Sequence, residues 1–250
     1  MPAIYHKPHK KTEVSMITEI LKPYLTEYAV PLSEEQLSQL HRYAELLLEW
    51  NEKMNLTAIT DDEGVAMKHF LDCLAFLRHI DLPKGASLAD VGTGAGFPGI
   101  VLKIARPDLE LVLIDSLQKR LTFLETVLKE LGLSAKLVHA RAEDAGHDPA
   151  LREKFDFVTA RAVANLSVLS EYCLPLCKVG GVFAPMKTAE VEEEAKSAKN
   201  ALSILGGEIS AIETYELPIA GGRSVVRIEK TKPTPQKYPR QRVKLTEKPL

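Results

Sequence analysis

Apolar residues recur at helical spacing through the first third of the chain. Met16, Ile17, Ile20, Leu21, Leu25 and Tyr28 lie along one face, with Pro23 a kink inside it. Pro31 closes that segment. Ser33 with Gln36 forms a capping box for the next helix, whose stripe is Leu37, Leu40, Ala44, Leu47 and Met54. Thr60 with Glu63 repeats the capping signal and predicts a third helix from Val65 to Ile80. The loop DLPKGAS, 81–87, ends the helical region. From there short apolar runs alternate with amphipathic stretches: SLADV (87–91), a glycine loop, GIVLKIA (99–105) and LELVLID (109–115). A helix over 117–132 closes at Gly132, and the runs AKLVHA (135–140) and FDFVTA (155–160) follow. A helix from Asn165 to Cys177, the run GGVFAPMK (180–187) and an Ala/Glu/Lys helix over 188–205 complete the alternation.

Strands alternating with helices predict parallel units joined by right-handed crossovers. The end differs: EISAIETYEL (208–217) and RSVVRIEK (223–230) flank the turn PIAGG, which predicts an antiparallel hairpin at the sheet edge. The expected fold is α/β, a doubly wound, mostly parallel seven-stranded sheet with a helical cap in front. Residues 1–12 are expected to be a disordered basic arm, 13–84 the helical region, 85–230 the core and 231–250 a basic tail.

Composition narrows the class. Of 250 residues, 45% are hydrophobic and 26% charged, which excludes a disordered or collagen-like chain. No apolar run approaches the roughly 20 residues a membrane helix needs. The start, MPAIYHKPHKK, lacks the apolar segment of a secretory signal, and three cysteines make no disulfide framework. A soluble protein of the reducing cytoplasm is expected, with no membrane partner. Net charge is −2, but its distribution is uneven: residues 230–250 carry +6 and residues 1–11 carry +3, leaving −11 for 12–229. Basic ends on an acidic body suit either a polyanion partner or plain solvation of the tails.

The strongest chemical signal is DVGTGAGFPG, Asp90 to Gly99, directly after a predicted strand and before a predicted helix. Bare backbone at Gly92, Gly94 and Gly96 allows close approach of a ligand and positive φ, and Pro98 suits a first helical turn. A nucleotide-like ligand at the carboxyl end of the first strand follows. From Gly94 the string GAGFPG also matches the dinucleotide pattern, so a nicotinamide-dependent oxidoreductase is a rival reading. Asp115, ending the second strand, is placed to take ribose hydroxyls of any adenosine-bearing ligand. Asp90 favours S-adenosylmethionine, since a carboxylate there suits the methionine ammonium better than a pyrophosphate. Asp90 could equally cap the helix or order the loop.

Several motifs occur together: Asp90-Val-Gly-x-Gly-x-Gly-Phe-Pro-Gly99, Asp115-Ser116, Lys119-Arg120, Phe123-Leu124, Ala142-Glu143, Ala160-Arg161-Ala162-Val163-Ala164 and Lys237-Tyr238-Pro239-Arg240. Upstream stand Trp50-Asn51, Asn55-Leu56-Thr57 and His69-x-x-Asp72. In this combination, over about 50 to 240, the chain resembles the bacterial 16S ribosomal RNA guanine-N7 methyltransferases of the small-subunit methyltransferase G (glucose-inhibited division protein B) family. The resemblance implies a class I, Rossmann-like fold holding S-adenosylmethionine. It places Gly92 and Phe97 along the cofactor, Asp115, Ser116 and Leu117 at its ribose and adenine, Ala142 and Glu143 beside the adenine, and Arg161 next to the reaction. The implied acceptor is N7 of a guanine in a 16S rRNA loop, and the implied partner 16S rRNA or a small-subunit particle; a monomer is expected. A catalytically silent RNA-binding module is a further alternative.

Guanine N7 carries an unprotonated lone pair, so methyl transfer needs no general base and rests on positioning. No catalytic Ser/His/Asp order and no His/Cys cluster at metal spacing is present. Cys173 and Cys177, four apart on the predicted helix, read as core thiols. Arg161 either reads the N7/O6 edge of the base or orders acidic loop residues such as Glu143. His69 and Asp72 can share a helix face as RNA contacts or as a polar surface pair. Asn51 and Asn55 are candidate RNA contacts, and Trp50 is either a stacking platform or a buried anchor. Lys187 is a candidate phosphate contact, and Tyr238 and Arg240 are candidates in the tail. A tail that neutralises about five phosphates would give a slope of log K against log salt of about −3.5.

Overall fold

In the computed structural model, which describes residues 16–241 and 245–250, the capping box read from the sequence is present. The amino-terminal arm with Lys7, Lys10 and Lys11, and Arg242 and Lys244 of the tail, lie outside the described residues. Helix α1 covers Met16–Tyr28 with Pro23 inside it. Helix α2, Glu34–Met54, starts where Ser33 Oγ accepts from Gln36 N (3.2 Å) and Gln36 Oε1 accepts from Ser33 N (2.8 Å). The same Gln36 amide donates to the carbonyls of Ile104 and Ala105, so one side chain starts α2 and ends a helix of the core.

The third predicted helix departs from expectation in two ways. Its cap is Asp61, not Thr60: Asp61 Oδ1 accepts from Gly64 N at 2.7 Å, and aspartate is the stronger capping residue. It is also not uniform. A short α3 (Asp62–Gly64) passes into a π-helical segment, Val65–Leu71, before α4 (Asp72–His79). The wider turn is rare and recurs at functional sites, and His69 lies in it.

Five parallel strands follow: β1 (Ser87–Val91), β2 (Glu110–Asp115), β3 (Lys136–His139), β4 (Phe155–Thr159) and β5 (Cys177–Phe183). Between them run α5 (Gly99–Ala105), α6 (Gln118–Glu130), α7 (Ala142–Ala145) and α8 (Leu166–Cys173). Cys177 opens β5 and does not lie on the helix with Cys173, because Leu174–Leu176 turn the chain first; both thiols are buried. The run GGVFAPMK divides at Pro185, whose ring nitrogen cannot donate. Its second half is β6 (Met186–Thr188), and Ala184 and Met186 continue the ladder to Val158 and Ala160. The predicted helix over 188–205 is two, α9 (Glu192–Ser197) and α10 (Lys199–Leu205). The predicted hairpin is β7 (Gly207–Leu217) and β8 (Gly221–Lys230).

The sheet order is β3-β2-β1-β4-β5-β8, with β6 beside β8 in line with β5 and β7 on its other side. Eight segments thus form seven lines of strand, parallel except at the β8 and β7 edge. One face of the sheet shares a continuous core with α1, α2, α4, α5 and α6, including Leu40, Tyr43, Phe70, Leu88, Val101, Leu113 and Phe123. The other face packs α8, α9 and α10 through Val158, Leu169, Phe183 and Ala201. The reversal of strand order between β1 and β4 opens a crevice at the carboxyl ends, where α/β folds bind ligands.

Candidate functional site

The glycine loop is stitched to the neighbouring strand. Gly92 and Thr93 donate to Ile114 O (2.9 and 3.2 Å), and Gly94 N donates to Asp115 Oδ2 (2.9 Å). Asp115 is almost wholly buried, and its other oxygen accepts from Leu117 N (2.9 Å) while Arg120 approaches Oδ2 at 3.3 Å. The three glycines differ in purpose. A Cβ at Gly96 would lie 2.7 Å from the Tyr43 hydroxyl and 2.9 Å from Leu124, so its bareness lets α2 and α6 close on the loop. A Cβ at Gly92 would meet Val163 at 2.8 Å, whereas at Gly94 the nearest atom is Gly92 O at 3.9 Å. Gly94, at φ 59°, faces open space.

Asp90 lies beneath this loop, fully buried. Its Oδ2 accepts from the Thr93 hydroxyl (2.7 Å) and from Gly99 N (2.9 Å), the first residue of α5. Asp90 therefore does cap the helix and order the loop, and its Oδ1 is a buried acceptor without a donor. Burial pushes this carboxyl up to about 6, against the pull of those two hydrogen bonds.

Beside the loop is a cleft of about 410 Å³, lined by Gly92, Asp115, Ser116, Ala142, Glu143 and Tyr172 among others. Five of the sequence-predicted cofactor residues line it together. Leu117 sits at 41% exposure, a large apolar side chain left in the open. Phe97 is elsewhere: it is buried, stacks on His69 (4.5 Å between centroids) and lies under the Arg161 guanidinium. Sequence reasoning did not single out Tyr172, which enters from α8, and gave no site role to Arg120 of the Lys119-Arg120 motif, five residues beyond the acid it pairs with.

Arg161 does not pair with Glu143. It donates to Asp72 Oδ2 (2.8 Å), to Lys68 O (3.2 Å) and to His69 Nδ1 (3.2 Å), and Arg223 Nε holds Asp72 Oδ1 at 3.2 Å. Arginine only donates, so His69 Nδ1 is the acceptor and its proton sits on Nε2, which donates to Thr57 Oγ1 (2.8 Å). Burial and the Arg161 charge push His69 down to about 4, which keeps the ring neutral. Thr57 N in turn donates to Asn51 Oδ1 at 2.8 Å. Asn51, Thr57, His69, Arg161, Asp72 and Arg223 thus form one chain of hydrogen bonds from the end of α2 to β8.

A family model described as rRNA small subunit methyltransferase G matches residues 36–220. The ribosomal RNA small subunit methyltransferase G of Geobacillus sp. (strain WCH70) is 54% identical over 218 residues, 86% of this chain and 92% of that protein. The protein of the same name from Listeria monocytogenes (strain F2365) is 48% identical over 227 residues, 90% and 95% of the two chains. The chain belongs to the rRNA small subunit methyltransferase G family. Among solved structures, a SAM-dependent O-methyltransferase from Thermotoga maritima superposes with TM-score 0.51 at 15% identity, covering 76% of this chain and 73% of that one. TrmN from Thermus thermophilus gives 0.50 at 21%, covering 64% and 48%. These likenesses show the class I methyltransferase fold.

The tail of this chain is fastened to the body. Arg240 meets the buried Glu171 of α8 through its backbone N–H (2.7 Å), Nε (2.9 Å) and Nη2 (2.7 Å). Tyr238 is buried, His147 Nε2 donates to Pro239 O (2.7 Å), and Arg152 donates to the carbonyls of Thr234 and Tyr238. Lys230 is buried too, donating to Leu174 O (2.8 Å). As RNA contacts Tyr238 and Arg240 do not fit: one ring is covered and the other side chain is engaged with an acid. Trp50 is an anchor whose ring meets Phe123 at 5.6 Å. Asn55 is exposed, capping α2 in the left-handed conformation. Lys187 donates to Ala164 O (2.9 Å) and pairs with Glu194 (2.6 Å). Among the described residues no helix is long and apolar enough to cross a membrane, and no group of three or more His, Cys, Asp or Glu is placed to hold a metal ion.

Proposed function

We propose that this protein transfers a methyl group from S-adenosylmethionine to N7 of a guanine in 16S rRNA, working as a monomer in the cytoplasm. Family membership supports the reaction, and one observation supports the cofactor over its rival. The first N–H of α5, where a dinucleotide would rest its pyrophosphate, already donates to the Asp90 carboxylate, and an acid there repels phosphate. The unpartnered Asp90 Oδ1 suits an ammonium instead. Asp115 has lone pairs left beyond its two backbone donors for ribose hydroxyls. Ala142, Glu143, Ser116 and the exposed Leu117 suit the adenine, and Gly92 and Gly94 the chain between.

The bound cofactor supplies an electrophilic methyl on a sulfonium. The protein has no proton to remove, because N7 attacks with its own lone pair. Its part is to hold two ligands in line, and Ala162 is shared by the cofactor cleft and a second pocket. Arg161 must leave the N7 lone pair free, and its bonds to Lys68, His69 and Asp72 suit a positioning role. Asn51, Asn55, His69, Asp72 and Lys187 are proposed to shape or border the RNA side. Calorimetry with S-adenosylhomocysteine against NADH, followed by transfer of labelled methyl to 16S rRNA and mapping of the modified base, tests the reading. Tight NADH binding, or labelling at an atom other than guanine N7, would overturn it.

A further inference from the structure

The second pocket, about 450 Å³, lies across Ala162 from the cofactor cleft and is lined by Lys68, His69, Asp72, Arg161, Lys187, Glu194 and Arg223 among others. Its polar groups are unevenly available. Asp72 is held between two arginines, and both nitrogens of neutral His69 are engaged. Glu194 is different. Its Oε2 takes both Leu166 N (3.0 Å) and Lys187 Nζ (2.6 Å), while Oε1 accepts no hydrogen bond among the described residues. Among the described residues Glu194 is thus the pocket's one carboxylate with a free oxygen.

We propose that this pocket receives the acceptor base and that Glu194 is its specificity-determining residue, with Oε1 taking the N1–H and N2–H donors of guanine. The inference rests on the methyl-transfer reading and extends it. Guanine joins a ring N–H to an adjacent exocyclic amine, a pair of donors that suits a carboxylate. Adenine turns an acceptor to the same place and is repelled. With this edge against Glu194, N7 is on the far side of the purine, free to face the cofactor cleft.

Glu194 also acts on the reaction. As the N7–methyl bond forms and the sulfur–methyl bond breaks, positive charge passes from sulfur to the purine. N1–H and N2–H then become stronger donors, so a carboxylate on them holds the transition state more tightly than the ground state. The pocket otherwise gathers four cationic side chains (Lys68, Arg161, Lys187 and Arg223) against two carboxylates, which draws RNA phosphates but opposes a cationic base. The free oxygen of Glu194 offsets that opposition at the base itself.

The test compares kcat/KM on 16S rRNA carrying guanine or inosine at the mapped target, inosine lacking only the N2 amine. The wild-type protein is expected to prefer guanine by about ten- to hundredfold. In Glu194→Gln the amide oxygen must stay toward Leu166 N and Lys187, both donors, so the NH₂ replaces Oε1. It then opposes the guanine donors. That variant is expected to lose kcat on guanine rRNA and to bring the guanine-to-inosine ratio close to one, with S-adenosylhomocysteine affinity unchanged. Equal rates of the wild-type protein on both RNAs, or an intact ratio in Glu194→Gln, would overturn the proposal. If the variant does not fold, the wild-type ratio decides. No transfer to guanine rRNA by the wild type would instead remove the methyl-transfer reading itself, and the pocket's assignment with it.

Discussion

Arg240→Leu separates two roles for the carboxy-terminal tail. In the structure the Glu171 carboxylate is 1% exposed and near the carboxyl end of α8, where the helix dipole disfavours an anion. Arg240 satisfies it with two side-chain nitrogens and its own backbone N–H. Removing one member of a buried pair costs about 3–5 kcal/mol because the other is left charged and dry. The backbone bond survives the substitution and the Arg240 side chain is 26% exposed, so the lower end, about 3 kcal/mol, is expected. For a chain of this size that corresponds to a fall in Tm of about 6–12 °C. Because Tyr172, next to Glu171, lines the cofactor cleft, S-adenosylhomocysteine affinity should fall as well. The salt dependence of rRNA binding should not change, since Arg240 is already engaged. The double variant Glu171→Leu with Arg240→Leu should recover most of the stability, as apolar replacement of buried pairs commonly does. Thermal unfolding, calorimetry and rRNA binding from low to moderate salt measure all three. A Tm within 1–2 °C of wild type, or a salt slope reduced by about one, would refute the argument.

Other substitutions read other parts of the site. Gly94→Val should leave a folded protein, at about 1–2 kcal/mol for its left-handed backbone, and abolish S-adenosylhomocysteine binding measured by calorimetry; Gly96→Ala, which collides with Tyr43 and Leu124, should chiefly lower Tm. Asp90, held at about 6, favours its proton in the folded chain, so its contribution to stability is full below about 4 and lost as pH rises through 6. Cofactor binding wants the opposite, ionised form, so affinity should weaken below pH 6, and Asp90→Asn should flatten that profile. His69, held at about 4, acts in the other sense: stability is lost as pH falls from about 6.5 toward 4, and His69→Asn should reduce that slope in urea titrations at successive pH values.

Local chemistry made much of this legible. The capping box at Ser33, the closing glycine at Gly132 and the hairpin around PIAGG depend on residues within a few positions of one another, and each is where the pattern put it. The glycine loop was legible for the same reason. What escaped depends on distant partners. Nothing near Val65 announces a π-helical turn, and His69 within it meets partners distant in sequence, Arg161 and Phe97. Gly96 reads as a ligand contact until Tyr43 is seen above it. The tail misled most: seven basic residues in a row of twenty-one suggest a free arm, but the carbonyl that takes Lys230 is 56 residues upstream and the acid that captures Arg240 is 69 residues upstream.

The bonded line from Asn51 to Arg223 runs along the wall of the second pocket, which His69, Asp72, Arg161 and Arg223 line, and ties the end of α2 to β8. A wall stapled at both ends does not swing open to admit a stacked nucleotide. The adjustment therefore falls to the ribosomal RNA, which must turn its guanine out of the helix before entry. Sites where that base is already loose, in an incompletely assembled or unpaired segment, should be methylated fastest.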